Sequence, residues 1–196
     1  MTCKNGKKLP RAFYNRPTLD VAADLLGKQI VYCSSEGRLS ARIVEVEAYI
    51  GRDDPACHAA SGPTKRNRVM FGKPGFSYVY FIYGMYYCLN FVTEKEGFAA
   101  AVLLRAAEPC DGLDLMKKNS PRQKDPDKIL SGPGKFCRSF GLTVTQNALD
   151  LTGETLFLEE RTGYEPKIER SSRIGIKAGA GKQWRFFDAR STALSR

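Results

Sequence analysis

Phe76-Ser77-Tyr78-Val79-Tyr80-Phe81-Ile82-Tyr83, then Gly84-Met85, then Tyr86-Tyr87-Cys88-Leu89-Asn90-Phe91-Val92: two runs of aromatic and β-branched residues are divided by a glycine. Such residues suit the pleated, half-buried surface of a sheet, and a glycine between two such runs marks a tight turn. The stretch reads as a strand over residues 76–83 that turns at Gly84 into a second over residues 86–92. Strand-like runs at 29–33 and 41–49 precede it, and residues 99–106 are apolar enough for a buried strand. Shorter strands are expected at 156–159, 173–176 and 184–188.

Helical signals are fewer. Leu19, Ala22, Ala23 and Leu26 recur at helical spacing within residues 17–27, with Thr18 placed as N-cap and Gly27 as the stop. A second short helix is expected over residues 111–118. A third is introduced by Ser131-Gly132-Pro133-Gly134-Lys135 and ends at Gly141. Residues 119–128, polar with two prolines, read as a surface loop. Many strands with few strong helices predict an α+β chain with a largely antiparallel sheet. No composition break divides the 196 residues, so they are expected to form a single domain, with residues 1–10 flexible.

The hydrophobic fraction of 42% is enough for a sizeable core. Lys and Arg number 31 against 21 acidic residues, a formal net charge of +10 that suits a polyanionic partner, nucleic acid being the commonest. A generic basic surface is the plainer alternative. No apolar run approaches the roughly 18 residues that suggest a membrane span. The basic start, Lys4-Asn5-Gly6-Lys7-Lys8, has no apolar stretch behind it, so no secretory signal is expected. The six cysteines, Cys3, Cys33, Cys57, Cys88, Cys110 and Cys137, form no C-x-x-C pair and read as reduced, mostly packed thiols of a cytosolic protein.

Three constellations can carry chemistry. In Arg42-Ile43-Val44-Glu45-Val46-Glu47-Ala48-Tyr49, strand alternation puts Glu45, Glu47 and Tyr49 on one face and Val44 and Val46 on the other. Two crowded carboxylates and a tyrosine could build a hydrolytic site. The competing reading is an amphipathic strand with a solvated acidic face. His58 is the lone histidine, which excludes H-E-x-x-H zinc chemistry, and Cys57-His58 without a second pair is a weak metal signal. No G-x-S-x-G elbow accompanies it. Residues 131–135 fail the phosphate-loop pattern, since Ile129 stands where a glycine is required and Phe136 where Ser or Thr should be. A helix start beside Lys135 could still hold one DNA phosphate.

The third constellation is the aromatic hairpin itself. Alternation puts Tyr80 and Tyr83 on opposite faces, and Tyr83 precedes the glycine turn, poorly placed for a core but well placed to wedge between base pairs. Lys65, Arg66, Arg68 and Lys73 lie just upstream. Cations beside exposed aromatics describe a nucleic-acid groove, with phosphates held by charge and bases met by stacking.

Val44 to Tyr49, Ala56-Cys57-His58, Arg66-Asn67-Arg68-Val69-Met70-Phe71, Lys73-Pro74-Gly75, Tyr78 to Tyr86 and Leu103-Leu104-Arg105-Ala106 together resemble the alkyladenine (methylpurine, 3-methyladenine) DNA glycosylases. Ser131-Gly132-Pro133-Gly134-Lys135 and Arg173-Ile174-Gly175-Ile176 extend the resemblance, which runs in order from about residue 13 to residue 187. It implies a compact single domain with a curved antiparallel sheet and a protruding hairpin that enters the minor groove. It implies Glu47 as the general base that activates the water attacking C1′ of the deoxyribose. By the same resemblance Tyr49, His58 and Tyr80 line the base pocket, Tyr83 fills the gap left by the flipped nucleotide, Asn90 crowds the amino group of normal guanine, and Arg105 lies near the flipped nucleotide.

The implied activity is base excision repair of alkylated or deaminated purines in double-stranded DNA. It needs no metal or organic cofactor, and no lysine stands out for a lyase step. A monomer without membrane contact is expected, cytoplasmic or nucleoid-bound if bacterial and nuclear if eukaryotic. Arg66, Arg68, Lys73 and Lys135 are the expected DNA contacts beside Tyr83. A non-enzymatic nucleic-acid-binding module and a hydrolase of free nucleosides stand as the rival readings. The chain departs from the family near Ser191 to Arg196, where an aromatic is often found; this difference is expected to touch no catalytic position.

Overall fold

The computed structural model of the chain describes residues 6–195. Its spine is the fourteen-residue strand β2 (Gly37–Ile50). One edge of β2 pairs with β5 (Ala100–Asp111) along nearly its whole length. The other edge is divided between β1 (Gln29–Ser34), which takes its first half, and β8 (Arg185–Asp188), which takes Glu45 to Glu47. Beyond β5 come β4 (Tyr86–Val92) and β3 (Ser77–Ile82), beyond β1 comes β6 (Leu156–Glu159), and β7 (Ile168–Ser171) pairs with β8. Every pairing is antiparallel, and the sheet curls into a half-barrel, an α+β arrangement.

Between Ile43 and Val46 the β2–β5 ladder slips twice in close succession, after an earlier shift between Ser40 and Ala41. Ile43 faces Ala107 and Glu45 faces Ala106, which leaves Val44 as an extra residue; Val46 then faces Leu104, which leaves Arg105 as an extra residue on β5. Such bulges re-aim side chains and are common beside active sites. Here the slip separates the two valines expected on one face: Val46 joins the main core, whereas Val44 packs with Ala106 and Ala193 in a small cluster of its own.

Four short helices flank the sheet: α1 (Arg11–Tyr14), α2 (Thr18–Leu25), α3 (Leu113–Asn119) and α4 (Pro133–Phe140). The main core forms where α2 meets β2 and β5 and where α4 meets β4 and β5, through Val21, Leu25, Ile43, Leu104, Phe136 and Phe140. Thr18 is not the N-cap of α2. Pro17 holds that position, and the Thr18 hydroxyl is drawn instead to Thr93 at 3.0 Å and Glu94 at 2.9 Å. Gly141 ends α4 in the left-handed conformation, as its sequence position suggested.

A further expectation is corrected. Residues 173–176 form no strand, because the Arg173 side chain is buried among polar partners and the Ile174 amide is bound by a carboxylate, so neither follows a ladder. Of the start expected to be flexible, residues 1–5 lie outside the described residues; further along, Lys8 forms a β-bridge with Glu159 and Leu9 is buried with its amide on the Leu158 carbonyl.

The hairpin β3–β4 closes through Ile82, Tyr83, Gly84 and Met85, with φ of +53° at Tyr83 and +68° at Gly84. Positive φ at both central residues is the geometry of a type I′ turn, whose twist matches the strands it joins. Glycine adopts it freely; a tyrosine does not. Just below its turn the hairpin is packed tightly: a Cβ on Gly134 of α4 would lie 2.6 Å from the Tyr86 ring, so only glycine allows this approach.

Candidate active site

Glu47 lies just past the double slip and is fully buried, as is Glu45. The solvated acidic face is therefore absent. Glu47 Oε1 accepts the Ile174 amide at 2.7 Å and faces Arg105 Nη1 at 3.1 Å, and its Oε2 accepts the Tyr49 hydroxyl at 2.7 Å. Every contact comes from a donor, the bonding pattern of a carboxylate held in one orientation. Glu45 is bound more fully still. Its Oε1 accepts Arg105 Nε at 3.0 Å, Arg185 Nε at 2.7 Å and the Ser195 hydroxyl at 2.7 Å, and its Oε2 accepts the Ser195 amide at 2.6 Å. Arg105, aimed by its bulge, spans both carboxylates.

Tyr49 and Arg105 open onto a cavity of about 270 Å³, at the small end of ligand pockets, which run to roughly 300–1,000 Å³. Its walls include His58, Tyr78, Tyr80, Tyr83, Cys88, Asn90 and Ile174. Glu47 itself does not reach the surface of this cavity. It stands one layer back, behind Tyr49, Arg105 and Ile174.

The aromatic wall is a locked set. Tyr80 packs between Tyr78, with ring centres 5.2 Å apart, and the edge of His58 at 4.6 Å. His58 Nδ1 pairs with the Tyr78 hydroxyl at 2.9 Å. Burial lowers the His58 pKa, and the nearby Arg66 charge adds to the effect. Burial raises the Tyr49 pKa, with Glu47 contributing, and burial raises that of Tyr80, with Cys88 contributing. Both hydroxyls therefore stay protonated as donors. Asn90 is buried with its amide on the Tyr78 carbonyl at 2.9 Å, which fixes which part of its side chain meets the cavity.

Of the sequence candidates, Tyr49, His58, Tyr80, Asn90, Arg105 and Tyr83 thus surround one cavity, with Glu47 behind it. Tyr83 is 76% exposed at the hairpin tip, flanked by exposed Phe81 and Met85. Arg66 is exposed yet committed to the hairpin, 4.8 Å over the Tyr80 ring and bonded to the Phe81 carbonyl at 3.2 Å. Arg68, Lys73 and Lys135 are exposed and make no ion pair among the described residues.

Sequence reasoning missed Ile174, Arg185 and Ser195 as partners of the site, and read Glu45 only as the carboxylate crowding Glu47. The chain's last residues do meet an assigned pocket residue, since the Ser195 hydroxyl accepts Arg105 Nε at 3.0 Å. Only the short Arg173-Ile174-Gly175-Ile176 motif signalled any of this, and it read as a strand.

The sequence model of a family described as methylpurine-DNA glycosylase matches residues 12–192. A protein of Methanocella arvoryzae, provisionally named a 3-methyladenine DNA glycosylase, is 51% identical over 193 residues, covering 96% of both chains. Proteins with the same provisional name from Alkaliphilus oremlandii and from the Wolbachia of Brugia malayi are 44% and 52% identical, covering 96% and 93% of this chain and 99% and 98% of their own.

Proposed function

The chain belongs to the methylpurine-DNA glycosylase family, and from that premise we propose that it is a repair hydrolase that flips damaged purines from duplex DNA and releases them. The observation that carries the reading is Glu47, an acidic side chain fully buried, held by three donors, directly behind a tyrosine-walled cavity beside an exposed aromatic tip.

In the proposed reaction a water oxygen attacks C1′ of the flipped nucleotide while the bond from C1′ to the purine nitrogen breaks. The bond's electron pair leaves with the base, and Glu47 takes the water's proton. The products are a free base and an abasic site. Because Glu47 is covered in the free protein, the water reaches it only when the side chains in front of it shift as the nucleotide enters. A purine alkylated at N3 or N7 carries positive charge and leaves readily, and the faces of Tyr49 and Tyr80 attract that charge. Flipping costs a few kcal/mol and least at damaged pairs, so extrusion itself contributes selectivity. Tyr83 occupies the vacated place in the stack, and Asn90, fixed by Tyr78, stands against the amino group of normal guanine.

Arg68, Lys73 and Lys135 serve as phosphate contacts, with Arg66 supporting the hairpin. Among the described residues no lysine lines the cavity, which favours hydrolysis without a lyase step. Glu47→Gln tests the reading. The variant should bind lesion duplex as tightly as the parent and release no base; release at the parent's rate would remove Glu47 from its role. Borohydride trapping of a covalent protein–DNA adduct would refute the monofunctional assignment.

A further inference from the structure

Next to Ile174 lies a buried ion pair that neither the cavity nor the carboxylates explain. Arg173 Nη1 and Nη2 reach Asp54 Oδ2 and Oδ1 at 2.6 and 2.7 Å, and both side chains are completely buried. The fork is shared: Nη1 also donates to the Ala48 carbonyl at 2.9 Å, and Nη2 to the Gly179 carbonyl at 3.4 Å. The guanidinium lies 4.7 Å from the Tyr49 ring and 5.1 Å from that of Trp184. Asp54 in turn accepts the amides of Ile50 at 3.2 Å and Ala56 at 3.3 Å.

Three separate pieces of chain therefore converge on one pair: the end of β2 between Glu47 and Tyr49, the segment of residues 51–58 that carries Ala56 and His58, and the segment after β7 that carries Ile174. The approach is close enough that a Cβ on Gly179, where φ is +68°, would stand 3.0 Å from Arg173 Nη2. Desolvating two charges offsets much of their attraction, so such pairs add little net stability over a well-packed apolar substitute. What a bidentate guanidinium–carboxylate pair does supply is direction. Here it fixes the residue preceding the amide that binds Glu47 and the face of the tyrosine that binds Glu47 from the other side.

We propose that Arg173 is a positioning residue: paired with Asp54, it sets the Ile174 amide and the Tyr49 ring so that they hold the Glu47 carboxylate in its reactive orientation. The proposal rests on the reading of Glu47 as the group that activates water. Arg173→Lys keeps the charge and loses the fork. Asp54→Asn keeps the shape and loses the charge.

Each variant of the full chain is compared with the parent on duplex carrying 3-methyladenine, in single turnover with protein in saturating excess. This rate is insensitive to the fraction of active molecules, so destabilisation alone leaves it unchanged. Misplacement by a fraction of an ångström should slow base release about 10-fold or more, while the Kd for lesion duplex stays within about threefold. The double variant should be no slower than the slower single one, because the two residues act as a unit.

Release within about twofold of the parent by a folded variant, or a deficit cured by more protein, overturns the proposal. Amide hydrogen exchange supplies a second readout, independent of activity. In the parent, Ile174 should exchange as slowly as the amides of β2, and in Arg173→Lys about 10-fold faster with β2 unchanged. If neither variant folds, fast exchange at Ile174 in the parent overturns the proposal and slow exchange supports it. A parent that releases no base would instead sink the glycosylase reading, with exchange still reporting whether Arg173 holds Ile174.

Discussion

The Tyr49 hydroxyl donates to Glu47 Oε2 at 2.7 Å from two positions further along β2, so one strand supplies both the acid and the donor that orients it. Tyr49 also lines the cavity, which under the proposed function would make it the link between the flipped base and the buried carboxylate.

Tyr49→Phe keeps the cavity wall and removes that donor. A charged acceptor deprived of its partner loses about 1.5–3 kcal/mol of interaction. If that loss falls on the transition state, single-turnover base release drops by roughly 10-fold or more while lesion binding changes little. Unchanged release would show that the Ile174 amide and Arg105 suffice to hold Glu47.

His58 gives the folded state an acid sensitivity. Its pKa lies below the ordinary 6.5, first through burial and then through Arg66. The unfolded chain therefore binds a proton where the folded chain does not. Its contribution to stability is complete above the unfolded value and is lost as pH falls through that value towards the lowered one. Urea unfolding at several pH values should show the difference between parent and His58→Asn shrinking with acidity. A difference independent of pH would contradict the shift.

Tyr83→Ala should leave urea stability within about 0.5 kcal/mol, since an exposed tip buries little. The positive φ at Tyr83 means that Tyr83→Gly should be at least as stable as the parent. Both should weaken lesion-duplex binding, because base–aromatic stacking contributes about 1–3 kcal/mol. A large stability loss would mean that the ring packs into the protein.

Ser195→Ala removes one of the donors to Glu45 and the acceptor of an Arg105 bond. With Glu45 fully buried, the expected loss is about 1–3 kcal/mol in urea unfolding. Because Arg105 also touches Glu47, slower base release should accompany it. Lost stability with unaltered release would confine Ser195 to a structural role.

The hairpin, the strands around it and the ending of α4 at Gly141 were legible because each is written in local chemistry: alternation, a glycine turn, a stop. The gathering of Tyr49, His58, Tyr80, Asn90 and Arg105 was legible only through resemblance, since four separate segments supply them. Arg173 and Ile174 were misread because apolar and charged residues in alternation look like a strand, whereas their backbone and side-chain polar groups go to Glu47 and Asp54. Ser195 carried no signal at all. A serine near the end of a chain looks like any other until the bulge at Arg105 shows what it meets. Thr18 failed as a cap because Thr93 and Glu94, distant in sequence, offered better partners.

Gly134 lies so close to Tyr86 that α4 backs the hairpin directly, with no space for a larger residue between them. A hairpin backed in this way has little freedom on its α4 side. In the proposed reading, compliance then comes from the nucleic acid, whose stack yields most easily where a base is already damaged. Under that reading, a braced hairpin would convert a mechanical weakness of DNA into a means of finding it.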